Sequence, residues 1–363
     1  MAAQTADLER VRTHYETGVW RWTSVAAIPK EVEALVIAKP TRPFSERNKF
    51  KIDQYIMNGG KVLWLLDKVA VDLDSLQGRK EFYPSPYELN IDDLLFKYGV
   101  RLNTDLVLDM RCTRIPLATG VVGNAPQFDL FRYPYHVLSL PQSNHPVVRS
   151  LEGVNLRYPS SIDISPRTKT EITKTPLLQS SETSRYQKLP LGMDFNFLRY
   201  DLDPERFQES GMVLAVLMEG VFPSMYENRL TAETMDMLRT IDAEYKKESV
   251  PNRMIVVSDG DVAANPVRAD GSVLPLGFNE FEKYQFSNKD FLINAIEYLL
   301  DEGGVIQARS KEVRLRLLNT EKAEAESRFW QFINIALPLG LLAVFGFIYT
   351  WIRRRKYAGS EVG

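Results

Sequence analysis

From Phe329 to Ile352 the chain reads FWQFINIALPLGLLAVFGFIYTWI, 24 residues without a charged side chain, and Arg353, Arg354, Arg355 and Lys356 follow at once. At the helical rise this stretch extends about 36 Å, enough to cross a hydrocarbon core of about 30 Å with some tilt. It reads as a transmembrane helix at 329–352 with a basic tail at 353–363. Trp330 at one end, and Tyr349 and Trp351 at the other, suit the headgroup level, where an amphipathic ring keeps its polar edge wet. Cations beside a span stay on the cytoplasmic side, so Arg353 to Lys356 place the C-terminus in the cytoplasm and the body of the chain across the membrane.

The N-terminus conflicts with that topology. Residues 1–24 carry Asp7, Glu9, Arg10, Arg12, Glu16 and Arg21, which leaves no apolar region to act as an export signal. Either the body is cytoplasmic and tail-anchored against the charge bias, or an upstream segment is missing. The second reading is favoured, with residues 1–31 as the remnant of a longer domain.

The remainder has globular composition, 44 % hydrophobic and 25 % charged. A net charge of −2 with no basic stripe argues against a nucleic-acid partner. Cys112 is the only cysteine, so an intrachain disulfide and a multi-cysteine metal site are both excluded. Flanked by Arg111 and Arg114, its thiol is either activated or merely structural, and the structural reading is favoured.

VEALVIAKP at 32–40 is an apolar run suited to a buried parallel strand. A helical pattern follows, with Ser45 as cap and Gly59-Gly60 as terminator, and then KVLWLLD at 61–67 forms a second buried strand. This is a βαβ unit. Asn90 reads as the cap of a short helix. Strand-like runs at 105–110, 114–118 and 129–140 predict a β-rich insertion over about 100–210, with another short helix opening at Asn144. The stretch 165–190, rich in Ser, Thr, Lys and Pro, is expected to hold an edge strand at TPLLQSS between polar loops and to be the least ordered part of the body. MVLAVLM at 212–218 and MIVV at 254–257 resume the buried strands, a polar surface insertion lies between them at 227–249, and an amphipathic helix runs from Asn288 to Leu300. The expected fold is α/β, an open and mostly parallel sheet of amidotransferase or flavodoxin type with added β-structure. It occupies 32–308 and leads through a helical stalk at 309–328 into the span.

In open α/β sheets ligands sit beyond the carboxyl ends of the strands, which directs attention to Lys39, Asp67, Ser258, Asp259 and Asp261. Two readings of Ser258-Asp259-Gly260-Asp261 stand side by side: polar anchors for a ligand or cation, or turn formers using Asx geometry. A P-loop, a G-x-G-x-x-G loop, an H-E-x-x-H motif and a G-x-S-x-G elbow are all missing from the sequence, so the chain is not expected to bind ATP. His14, His136 and His145 are scattered without metal-ligand spacing, and neither a metal nor a cofactor is expected.

The order EALVIAKPTRPFSERNKFKIDQYIMNGGKVLWLLD, RMIVVSDGDVAANP, FSNKDFLINAIEYLLDEGGVI and a terminal span ending in RRR resembles the GldG family of gliding-motility-associated ABC-transporter auxiliary proteins. The first block is also similar to domains related to class I glutamine amidotransferases, a group in which the catalytic cysteine is typically lost. The resemblance implies a non-catalytic auxiliary subunit in the cytoplasmic (inner) membrane. Its body would be periplasmic, and it would work with a separate permease and a separate ATPase, touching membrane lipid. Two other readings remain: a divergent hydrolase or amidotransferase using the edge near Ser258, and a module binding a sugar or other small ligand. The enzyme reading requires a histidine within reach of Ser258 or Cys112.

Overall fold

A computed structural model describes residues 15–19, 28–29, 31–76, 80–123, 125–200, 202–227, 245–268, 270–301 and 327–357. Most of 1–31, of the insertion at 227–249 and of the stalk at 309–328 lies outside the described residues. The chain divides into two compact units, Met1–Glu312 and Val313–Gly363.

The first unit opens with strand β1 (Ala34–Ala38), helix α1 (Glu46–Met57) and strand β2 (Lys61–Leu65). β1 and β2 run parallel, with Ala38 level with Leu65. Ser45 caps α1 by accepting the Asn48 N–H at 3.3 Å. Gly59 then takes φ +95, a conformation a side chain disfavours, and ends the helix. The next helix, α2 (Asp92–Lys97), lacks the expected cap. Its N-cap is Ile91, with no side-chain bond, while Asn90 sits at φ 55 and donates from its amide to the Phe44 carbonyl and Glu46. Asn90 therefore ties the two helix starts together instead of closing one of them.

The β-rich insertion follows: β3 (Asp105–Asp109), β4 (Cys112–Val122), β5 (Ala125–Ser139), β6 (Val154–Arg157), β7 (Ile172–Gln179) and β8 (Ser184–Lys188). β4, β5 and β6 form one antiparallel sheet and β3 pairs with β8. The helix expected to open at Asn144 is only a run of turns from 146 to 150.

The stretch 165–190 is ordered, against expectation. β7 pairs along β9 (Val213–Gly220), and serine hydroxyls that read as loop composition act as tethers. Asp109 is buried and accepts both the N–H (2.6 Å) and the hydroxyl (2.5 Å) of Ser181. Asp105, at the other end of β3, takes the same pair from Ser161 at 2.8 and 2.6 Å. Each bond satisfies a buried carboxylate, which a Ser-rich sequence does not advertise.

β10 (Asn252–Val257) and helix α3 (Asn288–Leu300) complete the unit. The central sheet has seven strands among the described residues, in the order β1, β2, β10, β9, Ile162–Asp163, Arg101–Leu102, with β7 also on β9. β1, β2 and β10 are mutually parallel, but β9, β7 and the two short strands are antiparallel to their partners. The sheet is thus mixed and not mostly parallel. The parallel half has α1 on one side and α3 on the other, as a crossover topology requires, whereas the β-insertion supplies the other half, where antiparallel return is available.

Trp64, Leu66 and Val256 join α1 and α2 in one core cluster; Leu63, Leu65 and Val257 join α3 in a second. Tyr133 and Tyr135 of β5 anchor a third with Met193 and Phe207. In the second unit, α4 (Ser327–Tyr357) carries Pro338 internally and ends in Arg354, Arg355 and Lys356. Within residues 329–356 of α4 an 18-residue window has a mean hydropathy of 2.1 and none of it is buried, so this helix is long and apolar enough to cross a membrane.

Candidate functional site

The register that aligns Ala38 with Leu65 also aligns Leu65 with Val257, so three parallel strands end at one level. The ladder runs one step further, with Lys39 N–H donating to Leu65 O at 2.9 Å and Leu66 N–H to Val257 O at 3.0 Å. Lys39, Asp67 and Ser258-Asp259-Gly260-Asp261 leave from that edge. Lys39 turns through φ 46, an unusual conformation for a residue with a β-carbon.

Four of the five residues singled out in the sequence, Lys39, Asp67, Asp259 and Asp261, come together, and Ser258 turns to a neighbouring strand. Lys39 Nζ lies 2.5 Å from Asp261 Oδ1 and 3.4 Å from Asp67 Oδ2. Asp67 Oδ1 accepts the Gly260 N–H at 2.6 Å. Asp259 is fully buried; its oxygens accept the backbone N–H of Arg157 (2.8 Å) and of Asp261 (2.7 Å). Gly260 is required by proximity: a β-carbon there would stand 2.8 Å from Lys39 Cβ and 2.9 Å from Lys39 Cα. Ser258 is buried and its hydroxyl donates to Leu214 O at 3.1 Å.

One ammonium serves three carboxylates, and the protonation equilibria follow. Burial pushes Asp67 up to about 6, with the negative charge of Asp261 adding to it and Lys39 opposing. Asp259 is raised well above the carboxylate range by burial first and then by Asp261 and Asp67. Burial alone would lower Lys39, but Asp67 and Asp261 outweigh it and hold the ammonium above its ordinary value. All three values rise, for different reasons: the carboxylates around the lysine favour its charged form, while a single lysine cannot offset the desolvation of all its partners.

Lys39, Asp67 and Asp261 pair with one another at this edge, Ser258 and Asp259 bond to the neighbouring Leu214 and Arg157 backbone, and Lys39 and Asp261 remain partly exposed. Among the described residues no group of His, Cys, Asp and Glu has the geometry to hold a metal ion. A surface concavity of about 410 Å³ lies elsewhere, lined by Glu152, Gln285, Ser287, Lys289 and Asp290. Arg157, which takes part through its backbone, was not selected from the sequence, and its separation of 102 residues from Asp259 left no local signal.

Neither described histidine hydrogen-bonds Ser258 or Cys112. His136 is buried edge-to-face against Tyr133 and Tyr158, and His145 packs against Tyr298. His14 lies outside the described residues. The Cys112 thiol is pushed up to about 12 by burial, with Arg132 only partly opposing, so its flanking arginines do not activate it. On α4, Trp330, Tyr349 and Trp351 are exposed. Arg353 to Lys356 continue the helix, and the Arg355 guanidinium lies 4.1 Å from the Trp351 ring centroid.

Fold and edge together define a mixed α/β body whose strand ends are locked by their own ion pairs, followed by one helix capable of crossing a membrane. A family model described as an ABC-type uncharacterized transport system matches residues 7–295, and the chain belongs to that family. The family suggests an auxiliary component of an ABC-type transport system. An uncharacterized protein of Borreliella burgdorferi is 21 % identical over 336 residues, covering 91 % of this chain; the chain spans 57 % of that relative's length. A solved structure described as "mmIFT52 N-terminal domain" aligns with 83 % of this chain and 91 % of its own at 11 % identity and a TM-score of 0.43.

Proposed function

We propose that this chain is a membrane-anchored, non-catalytic subunit of an ABC-type transporter. α4 crosses the cytoplasmic membrane, Arg353 to Lys356 face the cytoplasm and the α/β body stands on the periplasmic side, where it binds partner subunits or substrate. The observation that carries the reading is the family match across residues 7–295, nearly all of the body. The pairing at the edge supports the non-catalytic part: Ser258 spends its proton on a backbone carbonyl, and Lys39, Asp67, Asp259 and Asp261 bond to one another. These residues fix the ends of the parallel strands and so the shape of the surface presented to a partner. An association with gliding motility or secretion rests on the order of motifs in the sequence.

The test is purification of the tagged full chain from membranes in a mild detergent. A permease and an ATPase copurifying in fixed ratio is the expected result, and recovery of the chain alone from crosslinked membranes would refute the reading. A cytoplasm-only reporter on the C-terminus is expected to be active; an inactive reporter would reverse the topology.

A further inference from the structure

The β4–β5 hairpin extends beyond the core it starts from. Ile115 and Tyr133 are buried at its base, but the described side chains at 118–121 and 127–130 are exposed. Val121 is 70 % exposed, Phe128 59 % and Leu130 44 %. The register sets Arg114 opposite Arg132, Pro116 opposite Leu130 and Ala118 opposite Phe128, so these six share one face. The face has a polarity: two exposed arginines side by side, then an apolar row toward the tip. Asp129 is the one ionisable side chain among the described residues from 118 to 130, and its carboxylate accepts the Thr119 hydroxyl at 2.7 Å on the opposite face.

We propose that this hairpin tip is a second membrane contact, an interfacial wedge for a bilayer with anionic headgroups. The proposal takes from the preceding section only that α4 crosses a bilayer, and does not depend on partner subunits. Like charges directly opposite across two strands are unfavourable in water, and anionic headgroups relieve both arginines at once. Met110 O takes one N–H of Arg132, and Glu282 lies beside Arg114, so the cations are positioned by the body. From the Arg114–Arg132 pair to Phe128 is four residues, about 13 Å along the strand. Among the described residues no third strand pairs with 118–130, which leaves outward backbone groups that hydrocarbon cannot satisfy. The hairpin therefore lies obliquely, its backbone among headgroups, with Val121, Phe128 and Leu130 reaching the acyl boundary. A protein partner with an apolar face is the competing occupant, and the two exposed cations beside the apolar row favour an anionic surface over it.

The test uses the full-length chain in nanodiscs of phosphatidylcholine alone and of phosphatidylcholine with phosphatidylglycerol, read by amide hydrogen exchange of 116–130. Exchange there should slow several-fold in the anionic discs and recover at high salt, with 213–220 unchanged as a reference. V121S/F128S, at two exposed positions, should abolish the slowing without altering 213–220. Equal rates in both lipids would overturn the proposal, as would protection that appears only when a permease subunit is present in the disc. Failure of the chain to remain in the disc would remove the membrane anchorage itself and is scored separately from the exchange.

Discussion

Replacing Asp67 by asparagine should stabilise the body at pH 7, although the substitution deletes a partner of Lys39. The folded carboxyl titrates at about 6 against an ordinary value of 3.8, because burial outweighs the attraction of Lys39. Its folded value lies above its unfolded value, so the folded state holds a proton between about pH 4 and 6 that the unfolded chain has released. The group's contribution is therefore most favourable below about pH 4 and is lost as pH rises through 6. Two units correspond to about 3 kcal/mol of charge burial carried at neutral pH. Asparagine removes that cost and keeps an oxygen to accept the Gly260 N–H. Its amide faces the Lys39 ammonium, which returns about 1 kcal/mol. A net gain of about 2 kcal/mol remains, roughly 3 °C in melting temperature for a body of this size. Thermal unfolding of both full chains in the same mild detergent, at intervals from pH 4 to 7.5, reads the effect. The variant should lie about 1 kcal/mol below wild type near pH 4, overtake it between pH 4 and 6, and hold a constant advantage above pH 6. Loss of 1 kcal/mol or more at pH 7, by the same amount at every pH, would show that Lys39–Asp67 acts as an ordinary stabilising ion pair and that the desolvation argument is wrong.

G260A should cost about 1–3 kcal/mol, since the added carbon meets the Lys39 backbone and not the mobile end of a side chain; unchanged unfolding would refute the close approach. D53A should cost about 3 kcal/mol or more, measured by chemical denaturation, because it strands the Met225 N–H, the Ser224 and Tyr98 hydroxyls and the Gln54 amide that converge on that carboxylate. S258A should lose about 1 kcal/mol of stability and leave copurification of partner subunits intact; disappearance of an enzymatic activity in that variant would restore a nucleophilic role. With its thiol pushed up to about 12, Cys112 should resist iodoacetamide at pH 8 until the chain is unfolded, and rapid labelling of the folded chain would contradict its burial.

How much was legible in the sequence divides along the range of the forces involved. Near-neighbour patterns announced the βαβ unit: VEALVIAKP and KVLWLLD are apolar runs that suit strands, β2 buried after Lys61 and β1, at the sheet's edge, leaving Val36 exposed, and Ser45 with Gly59-Gly60 bounds the helix between them by local hydrogen bonding and positive φ. The same strand-end rule picked out Lys39, Asp67 and Asp261, whose carboxylates and ammonium the fold then brought together. Asn90 misled because a capping residue and a left-handed bridge share the same composition, and only the position of Phe44 O decides between them. The direction of β9 was equally hidden, since an apolar strand reads the same parallel or antiparallel; the β-insertion feeding it settled the matter.

By itself, then, the sequence determined the properties that depend on runs and short spacings: an apolar helix long enough to cross a bilayer, two buried parallel strands around a capped helix, and the lack of the contiguous motifs that hold a nucleotide. Tertiary structure alone brought the charges at the strand ends together. That outcome depends on Arg157 lying beside Asp259 and Gly260 lying against Lys39, contacts between residues about a hundred or more positions apart. Desolvation of a carboxylate is a property of the space around it, and that space is assembled only when the distant strands close over it.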